Sequence, residues 1–300
     1  MEQRKKFHGA MTELTVTYKP DGTVDHDALG KMVHWQIKEG IKAIFAGGIS
    51  SEYHMMTLEE QAGFAEAVCS AAKGNLPVMC NVIMPGWRDA VKVISRFEGA
   101  GADAICITPP YFATYNDAAM TQYMEALIES TNLPVYIYNA PQTGNILSPQ
   151  LIAGLAHKYP HLWGYKDSTQ NVIHLQTLMA IVNKPGFEYI AGSDATTLPT
   201  LMLGGCGVIS FISVAFPKLI IELCEAFFAG NYELAREKQK FVLKIRDILK
   251  KGGNSAGYKY ACELMGYPIR GTRYPDSLLI LSESLKKEIR GDLEKLGLVC

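Results

Sequence analysis

Residues 161–169 read HLWGYKDST. The first five, His161 to Tyr165, have the length and aromatic content of a strand, and the run is apolar without alternation. That pattern belongs to a strand whose outer face is covered by helices. Similar runs occur at 10–16 (AMTELTV), 41–46 (IKAIFA), 77–83 (PVMCNVI), 103–107 (DAICI), 134–138 (PVYIY), 187–191 (FEYIA) and 206–210 (CGVIS). Amphipathic stretches separate them. One opens at Thr57-Leu-Glu-Glu60, a capping-box pattern, and another at Ser148-Pro149, with proline at the first helical position. Strand-then-helix units repeating at roughly 20–35 residues point to a (β/α)8 TIM barrel, an α/β fold, rather than an open doubly wound sheet. After about residue 230 the strands stop, and 231–251, 255–265 and 277–297 read as helices. The expected organisation is a barrel over 1–230 carrying the active site and a C-terminal helical extension over 231–300.

Composition narrows the function classes. The chain has 300 residues, 48% hydrophobic and 20% charged, enough for a full core and too apolar for disorder. A net charge of −1 gives no support to nucleic-acid binding. No apolar run approaches the roughly 18–20 residues of a membrane helix, and the basic start MEQRKKFHGA lacks the apolar segment of a secretory signal. The seven cysteines are scattered without a C-x-x-C pair, which fits free thiols in a cytoplasmic protein.

In a TIM barrel the chemistry sits at the C-terminal ends of the strands. Just past the runs stand Gly47-Gly-Ile-Ser-Ser-Glu52, Asn81, Thr108-Pro-Pro-Tyr111, Tyr138-Asn139, Lys166-Asp167, Gly192-Ser-Asp194 and Ser210. The set has a single amine and few carboxylates, and no histidine occupies a strand end, so no metal site is expected. Gly204-Gly-Cys-Gly207 precedes a strand and reads as a helix end and turn, not as a phosphate cradle.

Lys166 is the distinctive residue. An amine with a pKa of ~10.4 is almost wholly protonated at neutral pH and cannot attack a carbonyl. Apolar surroundings lower that value, and a strand end inside a barrel mouth supplies them. Asp167 is a poor partner for it, because successive strand residues point to opposite faces. The residues alone leave two readings, a lysine of lowered pKa with Tyr138 one strand earlier carrying protons, and an ion pair with Asp167 that strand geometry makes poor.

These residues resemble the dihydrodipicolinate synthase and N-acetylneuraminate lyase family, Schiff-base aldolases built on a (β/α)8 barrel. The likeness spans most of residues 7–275. Gly48-Ile-Ser-Ser-Glu52 resembles G-[ST]-T-G-E, Tyr138-Asn-Ala-Pro141 resembles Y-N-x-P, and Gly164-Tyr-Lys-Asp-Ser168 resembles G-x-K-[DE]-[SA]. Gly192-Ser-Asp194 and Gly204–Ser210 resemble the two following strand ends. The resemblance implies that Lys166 condenses with the carbonyl of pyruvate or another 2-oxo acid and that Tyr138 moves protons. It implies that Ser50 and the amides near Ser51 hold the carboxylate, and that Gly192 and Ile209 line the pocket. It also implies a homo-oligomer, a dimer or tetramer, in which Tyr111 completes a neighbour's site, and no cofactor.

The chain departs from the family pattern at several points. Ile49 replaces a hydroxyl residue and cannot relay a proton. Ser51 replaces a glycine. After Pro141 comes Gln-Thr-Gly, so the arginine that binds a second carboxylate in the synthases is missing, and Ala195 stands where neuraminate lyases carry a glutamate. These departures disfavour both best-known activities. They leave a lyase, aldolase or dehydratase, for a substrate such as a 2-keto-3-deoxy sugar acid, with Gln142, Thr143, Asp194 and Ser210 as candidate hydroxyl binders. The alternatives are an authentic dihydrodipicolinate synthase or N-acetylneuraminate lyase, and a non-catalytic barrel binding a 2-oxo acid, which Ile49 raises.

Overall fold

The structure is a computed structural model that describes residues 7–253, 255–267, 269, 271 and 281–300. Parallel strands close into a barrel in sequence order: β1 (Gly9–Leu14), β2 (Ala43–Ala46), β3 (Val78–Val82), β4 (Ala104–Ile107), β5 (Val135–Asn139), β6 (Leu162–Asp167), β7 (Glu188–Ala191) and β8 (Gly207–Ser210). Closure is made by β8 on β1, with Gly9 beside Gly207 and Thr12 beside Ser210. Each strand begins and ends within two residues of its expected position. The useful difference is in β6, which continues through Lys166 and Asp167, paired with Tyr138 and Asn139 on one side and Ile190 and Ala191 on the other. Lys166 is thus held by ladder hydrogen bonds on both flanks rather than by a loop.

Helices α1 (His26–Glu39), α2 (Leu58–Ala72), α3 (Trp87–Ala100), α4 (Asp117–Ile128), α5 (Pro149–Lys158), α6 (Val172–Ile181), α7 (Thr197–Met202) and α8 (Pro217–Phe228) follow the strands in turn. The Thr57–Glu60 capping box is formed in both directions, and Ser148 caps α5 with Pro149 behind it. Gly204 adopts a φ of 102° in the turn from α7 into β8, a conformation that favours glycine. Period-two alternation divides the strand residues between two cores. Ile44, Val82, Ile105 and Ile137 face the helices, whereas Met11, Phe45, Met79, Cys106, Tyr136, Ile190 and Ile209 fill the barrel interior.

Beyond Gly230 come α9 (Tyr232–Lys250), α10 (Ala256–Leu264) and α11 (Glu283–Lys295). The start of the helix expected at 277 lies outside the described residues up to 280. The extension is joined to the barrel by a buried ion pair, Lys259 to Glu52 at 2.5 Å, with the Ser255 hydroxyl donating to the same carboxylate at 3.0 Å. Among the described residues no helix is long and apolar enough to cross a membrane.

Candidate active site

Strand geometry sets the centre of the site. On β1, Glu13 points inward with Met11; on β6, Lys166 points inward with Gly164. The two side chains meet across the barrel, Lys166 Nζ lying 3.2 Å from Glu13 Oε2, with side-chain exposures of 0% and 4%. The ammonium also sits between two ring faces, 3.7 Å from the centroid of Phe45 and 3.8 Å from that of Tyr138, a cation–π arrangement. Asp167 faces the helices, as strand alternation requires. Its carboxylate accepts from the Thr169 amide at 2.8 Å and from the Tyr165 hydroxyl at 3.3 Å.

The expected lowering of the Lys166 pKa is corrected by this geometry. Burial does pull the amine down, but the oxygen of Tyr138 and the carboxylate of Glu13 outweigh it and hold the pKa above the ordinary lysine value. The resting amine is therefore a paired ammonium. Its counter-ion comes from the opposite side of the barrel, where the apolar neighbours of Lys166 along its own strand gave no sign of it.

Glu13 shapes its surroundings as well. Its Oε1 accepts the backbone N–H of Ser50 at 3.1 Å. A Cβ on Gly48 would stand 2.0 Å from the Glu13 carboxyl carbon, so glycine there leaves the space the carboxylate fills. Gly47, at a φ of 101°, is fixed behind it by Asn81, which donates to the Gly47 carbonyl at 2.8 Å and accepts from Thr108 at 2.8 Å. A run such as MTELTV signals a strand, and an acid within it reads as an outward residue. Only the parity it shares with Met11 could have indicated otherwise.

Tyr138 stands on β5 beside Lys166 in the ladder. Its hydroxyl lies 3.3 Å from Ser168 Oγ, and Ser168 donates to the Gly192 carbonyl at 2.8 Å. Burial raises the Tyr138 pKa although the Lys166 charge opposes it, so the phenol is protonated and able to donate. Gly192 is required by crowding, since a Cβ there would fall 2.4 Å from Ser168 Oγ. Ser168 supplies the hydroxyl contact to Tyr138 that Ile49 cannot.

A cavity of about 120 Å³ opens above this centre. Glu13, Ser50, Tyr138, Gly192 and Ile209 line it, together with Ile49, Gln142 and Asp194. Other sequence candidates lie elsewhere. Ser51 is buried outside the lining, and its amide donates to the Gly48 carbonyl at 3.2 Å within the turn. Thr143 turns its hydroxyl back to the Ala140 carbonyl at 2.9 Å, and Ser210 donates to Asp194, so neither presents a hydroxyl to the cavity. Tyr111 is half-buried on the loop after β4, beside the fully exposed Phe112, and does not line the cavity of its own chain. Ser193, between Gly192 and Asp194, lines it too, and the structure adds Gln170, Phe211 and, from the extension, Arg246, Lys250 and Tyr258. Their only sequence signal is the four-residue spacing of Arg246 and Lys250, which a solvated helix face shows equally well. Among the described residues no cluster of His, Cys, Asp and Glu is arranged to hold a metal ion.

Comparison with known proteins agrees with the barrel fold. The sequence model of the dihydrodipicolinate synthetase family matches residues 6–296. A 4-hydroxy-tetrahydrodipicolinate synthase from Maridesulfovibrio salexigens is 32% identical, covering 98% of this chain and 99% of that protein. An uncharacterized DapA-like lyase from Halobacterium salinarum is 29% identical over 98% of this chain and 95% of that protein. Among solved structures, dihydrodipicolinate synthase from Aquifex aeolicus superposes with a TM-score of 0.92 at 26% identity, covering 98% of this chain and 99% of that one. YagE, an E. coli K12 prophage protein of the same family solved in complex with pyruvate, superposes with a TM-score of 0.91 at 28% identity, covering 97% and 99%. The chain belongs to the dihydrodipicolinate synthetase family and is an enzyme, a lyase of the class I aldolase type.

Proposed function

We propose that the protein is a Schiff-base lyase acting on pyruvate or a larger 2-oxo acid, with Lys166 as the nucleophile. The observation that carries the reading is the Lys166–Glu13 contact at 3.2 Å inside a barrel mouth next to Tyr138. A protonated lysine cannot attack, and Glu13 is the group positioned to take its proton. That transfer neutralises Glu13, loosens its hold on the Ser50 N–H, and leaves this amide for the incoming carboxylate. A substrate anion beside an ionised Glu13 would be repelled, so substrate binding and amine activation favour each other.

Attack on C2 converts the carbonyl into a carbinolamine, its oxygen taking a proton from Tyr138. The attacking nitrogen passes its surplus proton to the Tyr138 oxygen, which hands it to the carbinolamine hydroxyl, and departure of that hydroxyl as water gives the iminium. The iminium then accepts the electron pair of a breaking C3–C4 bond, the C4 hydroxyl proton passing to the Tyr138 oxygen, or of a departing C3 proton. The enamine so formed regains a proton at C3 or expels a C4 hydroxyl, and hydrolysis of the resulting iminium returns the amine. The complex of YagE with pyruvate supports the 2-oxo acid class. Ile49, and the absence of an arginine after Pro141, favour a polyhydroxy substrate such as a 2-keto-3-deoxy sugar acid over the synthase reaction. We place the enzyme in the cytoplasm, on the strength of its free cysteines, and as a homotetramer or dimer, on the strength of the exposed Phe112.

Incubation with pyruvate and borohydride is expected to add one reduced pyruvyl group, located on Lys166 by peptide mass spectrometry and absent in Lys166→Ala. Equal trapping in that variant would refute the assignment. Turnover on a panel of 2-keto-3-deoxy sugar acids then identifies the substrate. Dihydrodipicolinate synthesis at ordinary synthase rates would favour the relatives' named reaction instead.

A further inference from the structure

The cavity has a cationic wall that the Schiff-base chemistry does not use. Arg246 and Lys250 stand one turn apart on α9, and both line the cavity whose floor includes Glu13 and Tyr138, the two residues against Lys166. Neither forms a salt bridge or side-chain hydrogen bond among the described residues, whereas other cations of the extension, Lys251, Lys259 and Arg290, are paired with carboxylates. Arg246 and Lys250 are close enough to repel. Partial burial and the Arg246 charge together push the Lys250 pKa below its ordinary value, against the pull of Asp247. Two cations held together beside a cavity favour an anion between them.

Their place in the cavity says which anion. Lys166 is enclosed by Glu13, Phe45 and Tyr138, deep in the barrel. Arg246 acts instead on Asp194, Tyr258 and Lys250, which line the cavity from the turn after β7 and from the C-terminal extension. The carboxylate on the carbon attacked by Lys166 must stay close to the amine, so it belongs beside Ser50. A group reaching Arg246 belongs to the far end of the substrate. Asp194, the acid on this side of the cavity, is occupied by the Ser210 hydroxyl and by the Ile212 amide at 3.4 Å, and it leaves the guanidinium fork open.

We propose that Arg246 and Lys250 form a subsite for a second acidic group, so that the substrate is a 2-oxo acid bearing a distal carboxylate or an equivalent anion. This deepens the Schiff-base reading and rests on it. These two cations enter from the C-terminal extension, a different element and direction from the loop after Pro141, so the acidic group they bind is placed differently from the one the synthases hold.

The test is borohydride trapping against ligand concentration for pairs matched in length. 2-Oxoglutarate is compared with 2-oxovalerate, and 2-oxoadipate with 2-oxohexanoate, with pyruvate as the short reference. For at least one pair the wild type is expected to be half-trapped at a concentration ~10–100-fold lower for the diacid, the size of a charge-assisted contact. In Arg246→Gln/Lys250→Gln that preference should fall to about 2-fold or less, while pyruvate trapping is retained. No diacid preference in the wild type, or a preference that survives in the double variant, overturns the subsite and leaves the Schiff base standing. Loss of pyruvate trapping in the folded double variant also overturns it, placing Arg246 at the first carboxylate. Failure of every ligand, pyruvate included, to label wild-type Lys166 overturns both readings.

Discussion

At the scale of the residue, Glu13 matters most. An acid buried in the barrel beside the reactive amine is held there by the Lys166 charge and the Ser50 amide, and its removal separates two effects. Glu13→Gln preserves the shape and deletes the proton acceptor, and kcat is expected to fall by ~10²–10⁴-fold. It also deletes a charge that favours the ammonium, so the Lys166 pKa should drop, and trapping by pyruvate should appear at lower pH than in the wild type. An unchanged pH profile would show that Glu13 does not control the amine. The stability consequence has a definite sign. Because the folded-state pKa of Lys166 is raised, the pair stabilises the fold below the unfolded lysine value of ~10.4 and loses that contribution as pH rises through the folded value. Denaturant midpoints measured between pH 8 and 11 should therefore fall more steeply in the wild type than in Glu13→Gln.

At the scale of the element, the loop after β2 and helix α10 depend on each other. Glu52 holds a φ of 64°, an uncommon conformation for a residue with a side chain, and its buried carboxylate is met by Lys259 and Ser255. Isolating one member of a buried pair costs about 3–5 kcal/mol. Lys259→Ala should destabilise the protein by that amount in chemical denaturation, whereas the exposed pair Lys92–Asp89 should contribute less than ~1 kcal/mol when broken. Because the same loop carries Ser50, Lys259→Ala is also expected to raise the concentration of pyruvate needed for trapping. A variant as stable as wild type with unaltered trapping would show that the extension does not brace the loop. The helix ends were legible in the sequence because capping is local: Thr57 with Glu60 and Ser148 with Pro149 act within a turn.

At the scale of the whole molecule, the barrel is complete in one chain, but its surface is not uniformly polar. Phe112, at 100% exposure and a φ of 85°, stands next to Tyr111 on one face, and Ile173, at 75%, stands on α6. Light scattering is expected to report a dimer or tetramer, and Phe112→Asp to shift it to smaller species; a monomeric wild type would remove the assembly from the reading. Sequence by itself determined the eight strands, the closure into a barrel, the outward turn of Asp167, and the placement of Lys166 and Tyr138 at neighbouring strand ends. Each of these rests on periodicity or on a short motif, which neighbours along the chain are enough to set. Tertiary structure alone decided that Lys166 rests as an ammonium paired with Glu13, 153 residues away, and that Arg246 and Lys250 reach into its cavity from the extension. A charge is governed by what stands within a few ångströms of it, and barrel closure sets those neighbours without regard to their separation in sequence.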